Sequence, residues 1–256
     1  MTDTTAVWNR LANFWDARIK EGNTFQQKLI MPTTDAMLGD VERKRILDAC
    51  CGNGHYARRL AGRGAEAVAF DGAQAFIDCA IARTPAGNVA YHVIDATDEP
   101  GLRALGENTF DAIVCSMALM DVPDLNPFFS ACDALLKSHG VVIFSVCHPC
   151  FNSLRLKHTA ALVDDGHGRL QQTFGVEVTH YKTPLAELSE GIINQPEPHP
   201  MFHRSISDLL RPAFAHGFVV DAIEEPAFEF NKSANPFSWE KRPEIPPALV
   251  VRLKRA

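Results

Sequence analysis

An α/β fold, a largely parallel sheet with helices packed on it, is predicted by three observations. The apolar run 46–47 ends on Asp48 and turns through Cys50, Cys51, Gly52, Asn53 and Gly54 into a helix-like segment closing near Gly62 and Gly64. That reads as strand, glycine turn, helix. A second apolar run, 67–70, ends on Asp71, about 20 residues beyond the glycines, where a carboxylate can accept hydrogen bonds from ribose hydroxyls. Further apolar runs at 89–94, 110–115 and 141–146 then alternate with helix-like segments, the order that builds a parallel sheet. The unit 45–71 is therefore read as a nucleoside-binding βαβ.

The wording of the turn narrows this. A dehydrogenase fingerprint ends on a third glycine, where this chain has the tolerated Ala57. The acidic residue just before the turn is more telling. LDACCGNG resembles the first motif of class I S-adenosylmethionine-dependent methyltransferases, L-D-x-G-x-G-x-G, with Cys50 at the first motif glycine. Its thiol leaves less room for backbone to approach a ligand. The resemblance, strong over 44–149 and by pattern alone near the C-terminus, is to the Rossmann-like, small-molecule type. It implies a three-layer sandwich with a seven-stranded, mostly parallel sheet whose last strand is antiparallel. It also implies an N-terminal helical cap segment (1–44), a core (45–150 and 205–256) and a substrate-cap insertion after strand 5 (151–204). The implied cofactor is S-adenosyl-L-methionine, leaving as S-adenosyl-L-homocysteine, with no metal. Asp48, Cys50, Gly52, Asn53, Gly54, Asp71 and Gly72 are the residues it assigns to that cofactor.

Composition limits the partners. The 256 residues are 46% hydrophobic, enough for one substantial core. A net charge of -6 argues against a nucleic-acid partner, whose backbone demands a basic surface. The start lacks a basic region followed by an apolar core, and no run approaches the roughly 18 apolar residues of a membrane helix. A cytoplasmic protein without a membrane partner is expected, its partner a small-molecule acceptor, with homodimerisation left open. Seven cysteines form an odd set that suits reduced thiols.

In chain order, Trp8, Leu11, Phe14, Trp15 and Ile19 recur at helical spacing, an amphipathic helix whose aromatic stripe reads mostly as core. Residues 22–26 break it. In similar methyltransferases an N-terminal segment closes over the cofactor, which makes Phe25 or Trp15 the lid aromatic. After a helix at 73–83, the strand 89–94 ends at Asp95-Ala96. The resemblance places adenine there, with Asp95 accepting from its amino group and the Ala96 N–H meeting a ring nitrogen. Asp98 is the better N-cap for the helix that follows.

The strand 110–115 leads into Ser116, Met117, Ala118 and Asp121, where cofactor and acceptor should meet. Similar enzymes acting on amide or adenine nitrogen carry a proline pair with an aromatic here; Met117 and Ala118 argue against such substrates. Met117 can wall a sulfonium or be core. Asp121 can be a base or a cap. A helix at 125–137 stops at His139-Gly140, and the fifth strand, 141–146, runs into Cys147-His148-Pro149-Cys150. No second C-x-x-C exists to complete a zinc site, and a thioredoxin-type context is missing. His148, at the tip facing the methyl group in this fold, is the first candidate base.

Between 151 and 204 regular patterning weakens, apart from a strand-like stretch at 171–181. Six of the ten histidines fall from His148 to His203. A long insertion above the fifth strand tip reads as a substrate cap, with Tyr181, His199 and Arg204 as polar contacts and His203 as a second candidate base. Ser205 caps a helix that Pro212 should kink, and strands at 219–223 and 248–253 close the sheet. The implied reaction is direct displacement at a sulfonium methyl, with O- or N-methylation favoured. The alternatives are a non-catalytic S-adenosylmethionine-binding regulatory protein and a nicotinamide-dependent oxidoreductase.

Overall fold

The computed structural model describes residues 4–256; residues 1–3 of the expected 1–44 segment lie outside the described residues. The chain opens with helices α1 (Thr4–Ile19) and α2 (Met31–Leu38). It then alternates β1 (Arg45–Ala49), α3 (His55–Gly62), β2 (Glu66–Asp71), α4 (Gln74–Arg83), β3 (Val89–Val93), α5 (Glu99–Arg103), β4 (Phe110–Ser116), α6 (Asn126–Leu135) and β5 (Leu136–Cys147). Two hairpins follow: β6 (Lys157–Asp164) with β7 (Leu170–Glu177), and β8 (Leu185–Ser189) with β9 (His199–His203). Helix α7 (Ile206–Ala215) and strands β10 (Phe218–Glu224) and β11 (Ala248–Arg255) complete the core.

Seven strands form one sheet in the order β10-β11-β5-β4-β1-β2-β3. As expected, only the last strand is reversed: β11 is antiparallel to both β5 and β10, and the other pairs are parallel. Successive strand residues point to opposite faces. Ile46, Ala67, Ala112 and Val114 pack with Met31 of α2 and Tyr56 and Leu60 of α3. Leu47, Ala49, Phe70, Ile113 and Cys115 share the other core with Phe128 and Phe129 of α6 and Leu209 of α7. Helices on both faces explain why the central strands read as unbroken apolar runs. The order reverses between β1 and β4, which opens a crevice at their C-terminal ends.

Two local differences from the sequence reading have physical causes. Helix α6 ends at Leu135, not at His139-Gly140, because the fully buried Leu136 is extended (φ -73, ψ 140) and pairs with Phe110 of β4 across a bulge. The chain re-forms a helix right after the break at 22–23, with a π-helical turn at Gln26–Ile30 leading into α2. Pro32 follows that turn. It has no N–H to give, and a wider turn relieves the clash its ring makes with a preceding carbonyl. The insertion is two hairpins, and β7 (Leu170–Glu177) falls on the expected strand-like stretch 171–181.

Capping follows expectation. Asp98 accepts from the Gly101 N–H at the start of α5, and Ser205 accepts from Asp208 at the start of α7, inside which Pro212 lies. Among the described residues, no helix is long and apolar enough to cross a membrane.

Candidate active site

The turn after β1 is bent by left-handed backbone at Cys50 (φ 53), Gly52 (φ 53) and Gly54 (φ 74). A Cβ on Gly52 would meet nothing within 4 Å, so this backbone lies bare to the crevice. Gly54 instead permits close packing, since a Cβ there would sit 2.9 Å from the Ala80 Cβ of α4 and closer still to the Tyr91 hydroxyl. Cys50 and, at the β4 tip, Met117 (φ 54) are non-glycine residues in this strained region, which is where functional sites concentrate such strain.

Three carboxylates stand at successive strand ends. Asp71 accepts from the Gly52 and Ala73 N–H groups, each at 2.9 Å, and burial pushes its pKa up to about 6. Asp95 is also desolvated, but bonds from Thr97 (2.8 and 2.6 Å) and the Thr5 hydroxyl (2.7 Å) outweigh burial and hold its pKa below the usual value. Asp48, buried beneath the turn, has one oxygen without a partner, and burial lifts its pKa to about 7.

A cavity of about 520 Å³ runs from these strand ends to the insertion. At one end its wall includes Cys50, Gly52, Asn53, Asp71 and Gly72, then Asp95 and Ala96. Ser116, Met117 and Asp121 form its middle, and Phe25 contributes from the N-terminal segment. Asp48 and Gly54 are not part of the wall; they support the turn from behind. Helix α1 lies over the crevice, tied down by the Thr5–Asp95 bond and by the Asn53 amide, which donates to Asp16 (3.0 Å) and to the Lys20 carbonyl (2.9 Å). Asp16 is in turn paired with Arg83 of α4 at 2.6 Å.

At the far end, His199 of β9 faces Asp121 with Nε2 3.6 Å from Oδ1. Trp8 packs on its ring at 4.5 Å between centroids, and Trp15 meets it edge-on at 6.3 Å. Burial drives the two groups in opposite directions: the Asp121 pKa well above the carboxylate range, the His199 pKa down to about 4. Both are therefore shifted toward neutrality.

The other predicted site residues lie outside the wall. His148 is 1% exposed, with Nε2 2.7 Å from a Glu225 carboxylate oxygen and Nδ1 accepting from the Cys150 N–H at 3.1 Å. Both ring nitrogens are engaged and neither reaches the cavity, so the expected role as base is corrected to that of a latch between the start of the insertion and the C-terminal segment. His203 is likewise not a base at this cavity: its Nε2 bonds the Tyr181 carbonyl at 2.9 Å. The Tyr181 hydroxyl accepts from the Ile206 N–H at 3.0 Å. Arg204 commits its guanidinium to the carbonyls of Leu119 (3.1 Å), Val122 (2.7 Å) and Pro123 (2.8 Å). Tyr181 and Arg204 thus fasten the insertion to the core instead of contacting a ligand.

Sequence reasoning missed Gln26, His55 and Gln195. Gln26 and His55 line the cavity, and Gln26 Oε1, His55 Nε2, Ser116 Oγ and Asp121 Oδ1 are all buried without partners. Unpaired polar atoms on a cavity wall suit a ligand with several polar groups. The bare turn, the strand-end carboxylates and the absence of any Lys or Arg among the described wall residues suit one that carries an adenosine and a positive charge. No trio of metal-ligating side chains gathers among the described residues.

A family model described as a methyltransferase domain matches residues 47–144. The ubiquinone biosynthesis O-methyltransferase of Alkalilimnicola ehrlichii is 39% identical over 112 residues, which cover 42% of this chain and 43% of that protein. The magnesium-protoporphyrin O-methyltransferase of Rhodobacter capsulatus is 32% identical over 110 residues, covering 42% and 46%. The chain thus spans less than half the length of these two curated relatives. The crystal structure of an S-adenosylmethionine-dependent methyltransferase from Mesorhizobium loti superposes with a TM-score of 0.68 at 22% identity, over 88% of this chain and 96% of that one.

Proposed function

Because this chain carries the class I S-adenosylmethionine-dependent methyltransferase fold, we propose that it transfers the sulfonium methyl group to an oxygen of a small molecule by direct displacement. The observation that carries this reading is the single cavity joining the glycine turn and strand-end carboxylates to the Asp121–His199 end. A donor and an acceptor held in one chamber are brought together without a further binding step. Asp71 and Asp95 are the proposed partners of the ribose hydroxyls and the adenine amino group, with the bare backbone at Gly52 beside them.

Displacement by an oxygen that is anionic, or that gives up its proton as it attacks, consumes the sulfonium charge. A dry wall without cations therefore favours the transition state over the charged ground state. Two similar proteins are named as O-methyltransferases, which supports oxygen over nitrogen as the atom methylated. Calorimetry with S-adenosylhomocysteine tests the reading. The expected result is one site per chain, and titration without heat or saturation would remove the proposal.

A further inference from the structure

The hydrogen bonds around His199 determine where its proton resides. The Trp15 indole N–H, which can only donate, bonds Gln195 Oε1 at 3.1 Å, and the Gly191 N–H reaches the same oxygen at 3.3 Å. The other end of the amide donates to the Glu197 carbonyl at 2.6 Å, so the orientation of Gln195 is unambiguous. Its Nε2 lies 3.0 Å from His199 Nδ1 and must donate there as well. An accepting Nδ1 puts the ring proton on Nε2, the atom that faces Asp121. A second ring proton would set N–H against N–H. His199 is thus a neutral donor aimed at a carboxylate, not a group with a free lone pair for the acceptor.

Asp121 Oδ1 is buried on the cavity wall without a hydrogen-bond partner. We propose that Asp121 is the general base of this site, that His199 oriented by Gln195 positions its carboxylate, and that the acceptor enters as an uncharged phenol-type hydroxyl. The inference rests on the methyl-transfer reading above and adds the base and the substrate class. An acceptor that arrives already ionised would find no Lys or Arg among the described wall residues to hold it. A neutral amine has its lone pair free and needs no base during attack, whereas a hydroxyl must shed its proton. The rings of Trp8 and Trp15 with Met120 and Met201 on the same wall suit a flat apolar frame.

The step balances. As the acceptor oxygen bonds the methyl carbon, the carbon–sulfur bond breaks with its electron pair going to sulfur, and the hydroxyl proton moves to Asp121 Oδ1. Asp121 acts in its ionised form, which burial disfavours and the neighbouring sulfonium charge favours, so sulfonium and carboxylate are both neutralised. The proton returns to solvent when product leaves. The ionisable groups around Asp121 are His199 from β9, Cys147 from the end of β5, and Arg204, which is committed to three carbonyls; Glu190 of the insertion shares the same cavity wall.

The test measures methyl transfer from labelled S-adenosylmethionine to phenol, catechol and 4-nitrophenol, with S-adenosylhomocysteine calorimetry on the same full-length preparations. Asp121→Asn should bind S-adenosylhomocysteine as wild type does, lose about 10²- to 10⁴-fold in kcat/KM on catechol, and stay within about tenfold on 4-nitrophenol, whose more acidic hydroxyl depends less on a base. His199→Phe, which removes the N–H that faces Asp121 Oδ1 at 3.6 Å, should move the acid limb of the kcat/KM profile up by about one pH unit. His199→Gln, which keeps a donor, should restore it.

Undiminished turnover of catechol by Asp121→Asn overturns the inference. So does a wild-type protein that binds S-adenosylhomocysteine but methylates none of the three phenols. If Asp121→Asn does not fold, the His199→Phe profile decides: a lower rate with an unmoved acid limb marks a merely structural histidine and overturns the assignment. Failure of wild type to bind S-adenosylhomocysteine is a separate result that removes the parent reading and this one with it.

Discussion

The strand-tip end of the cavity and its cap end are held by different means. At the strand tips, backbone does the positioning: left-handed turns at Cys50, Gly52 and Gly54, and N–H groups of Gly52 and Ala73 on Asp71, all resting on two buried apolar layers. At the cap end the contacts are side chains far apart in sequence, Trp15 with Gln195, Asp121 with His199, and Arg204 with the 119–123 segment. Backbone rigidity suits a ligand whose shape is fixed. Side-chain bonding lets a cap be rebuilt for a new acceptor while the sheet stays as it is. Damage to the first end should therefore appear in cofactor affinity, and damage to the second in turnover.

The largest separation of the two is expected from Gly52→Val. A β-branched residue at φ 53 costs about 1–2 kcal/mol in backbone strain, and its side chain would stand in the open crevice. Calorimetry should show at least a 100-fold loss of S-adenosylhomocysteine affinity, about 2.7 kcal/mol, with near-ultraviolet circular dichroism of the cap tryptophans unchanged. Wild-type affinity in this variant would break the comparison, because the bare turn would then not be the grip.

An effect of similar size should appear in stability at acid pH. His199 titrates near 4 in the fold against 6.5 when free, so its contribution is complete above about pH 6.5 and is lost as pH falls toward 4. The full loss is at most about 3 kcal/mol. Asp48 and Asp71 have the opposite sign. Burial raises them to about 7 and about 6 from 3.8, so they cost stability at neutral pH and are relieved on acidification. Urea unfolding at pH 7 and pH 4 should show wild type losing about 3 kcal/mol relative to His199→Gln. A constant difference between the two proteins would mean that His199 charges in place.

Arg204→Ala comes next. Three carbonyls of the segment bearing Asp121 lose their donor, and bonds to a charged group are worth about 1.5–3 kcal/mol. The acceptor KM should rise about tenfold, with S-adenosylhomocysteine affinity within a factor of two or so. Equal losses in both would mean that the two ends are mechanically one.

The same division explains what the sequence revealed. Asp71, Asp95 and the glycine turn were legible because their positions follow from local order, a strand, a turn and the next strand tip. The seven-strand topology followed from that order once the turn had been matched to a motif. Asp121 and His199 were each legible as candidate polar residues of the site, but not as a pair on one cavity wall: their meeting depends on how two hairpins fold back over the sheet. Gln195 lies in a proline-bearing segment with no periodicity, and its role emerges only from the indole and carbonyl around it. The π-helical turn at Gln26–Ile30 was hidden because helical spacing and a following Pro32 give no sign of a widened register.

His148 is the sharpest case and yields the smallest expected effect. Its place after the fifth strand made it look catalytic, since the strand points at the cavity. The side chain turns instead toward Glu225, while its backbone N–H bonds the Pro247 carbonyl at 3.0 Å and its ring lies 4.6 Å from that of Phe151. With Nδ1 accepting from Cys150, the proton sits on Nε2 and is donated to a half-exposed carboxylate. That is a fastening for the insertion, and exposure of Glu225 limits its strength. His148→Ala should therefore keep kcat/KM within about twofold across the pH range while lowering stability in urea by about 1–2 kcal/mol, mostly through lost packing and an orphaned Cys150 N–H. A loss of turnover without a loss of stability would move His148 from the fastening to the chemistry, and the boundary drawn between the two ends of the cavity would have to move with it.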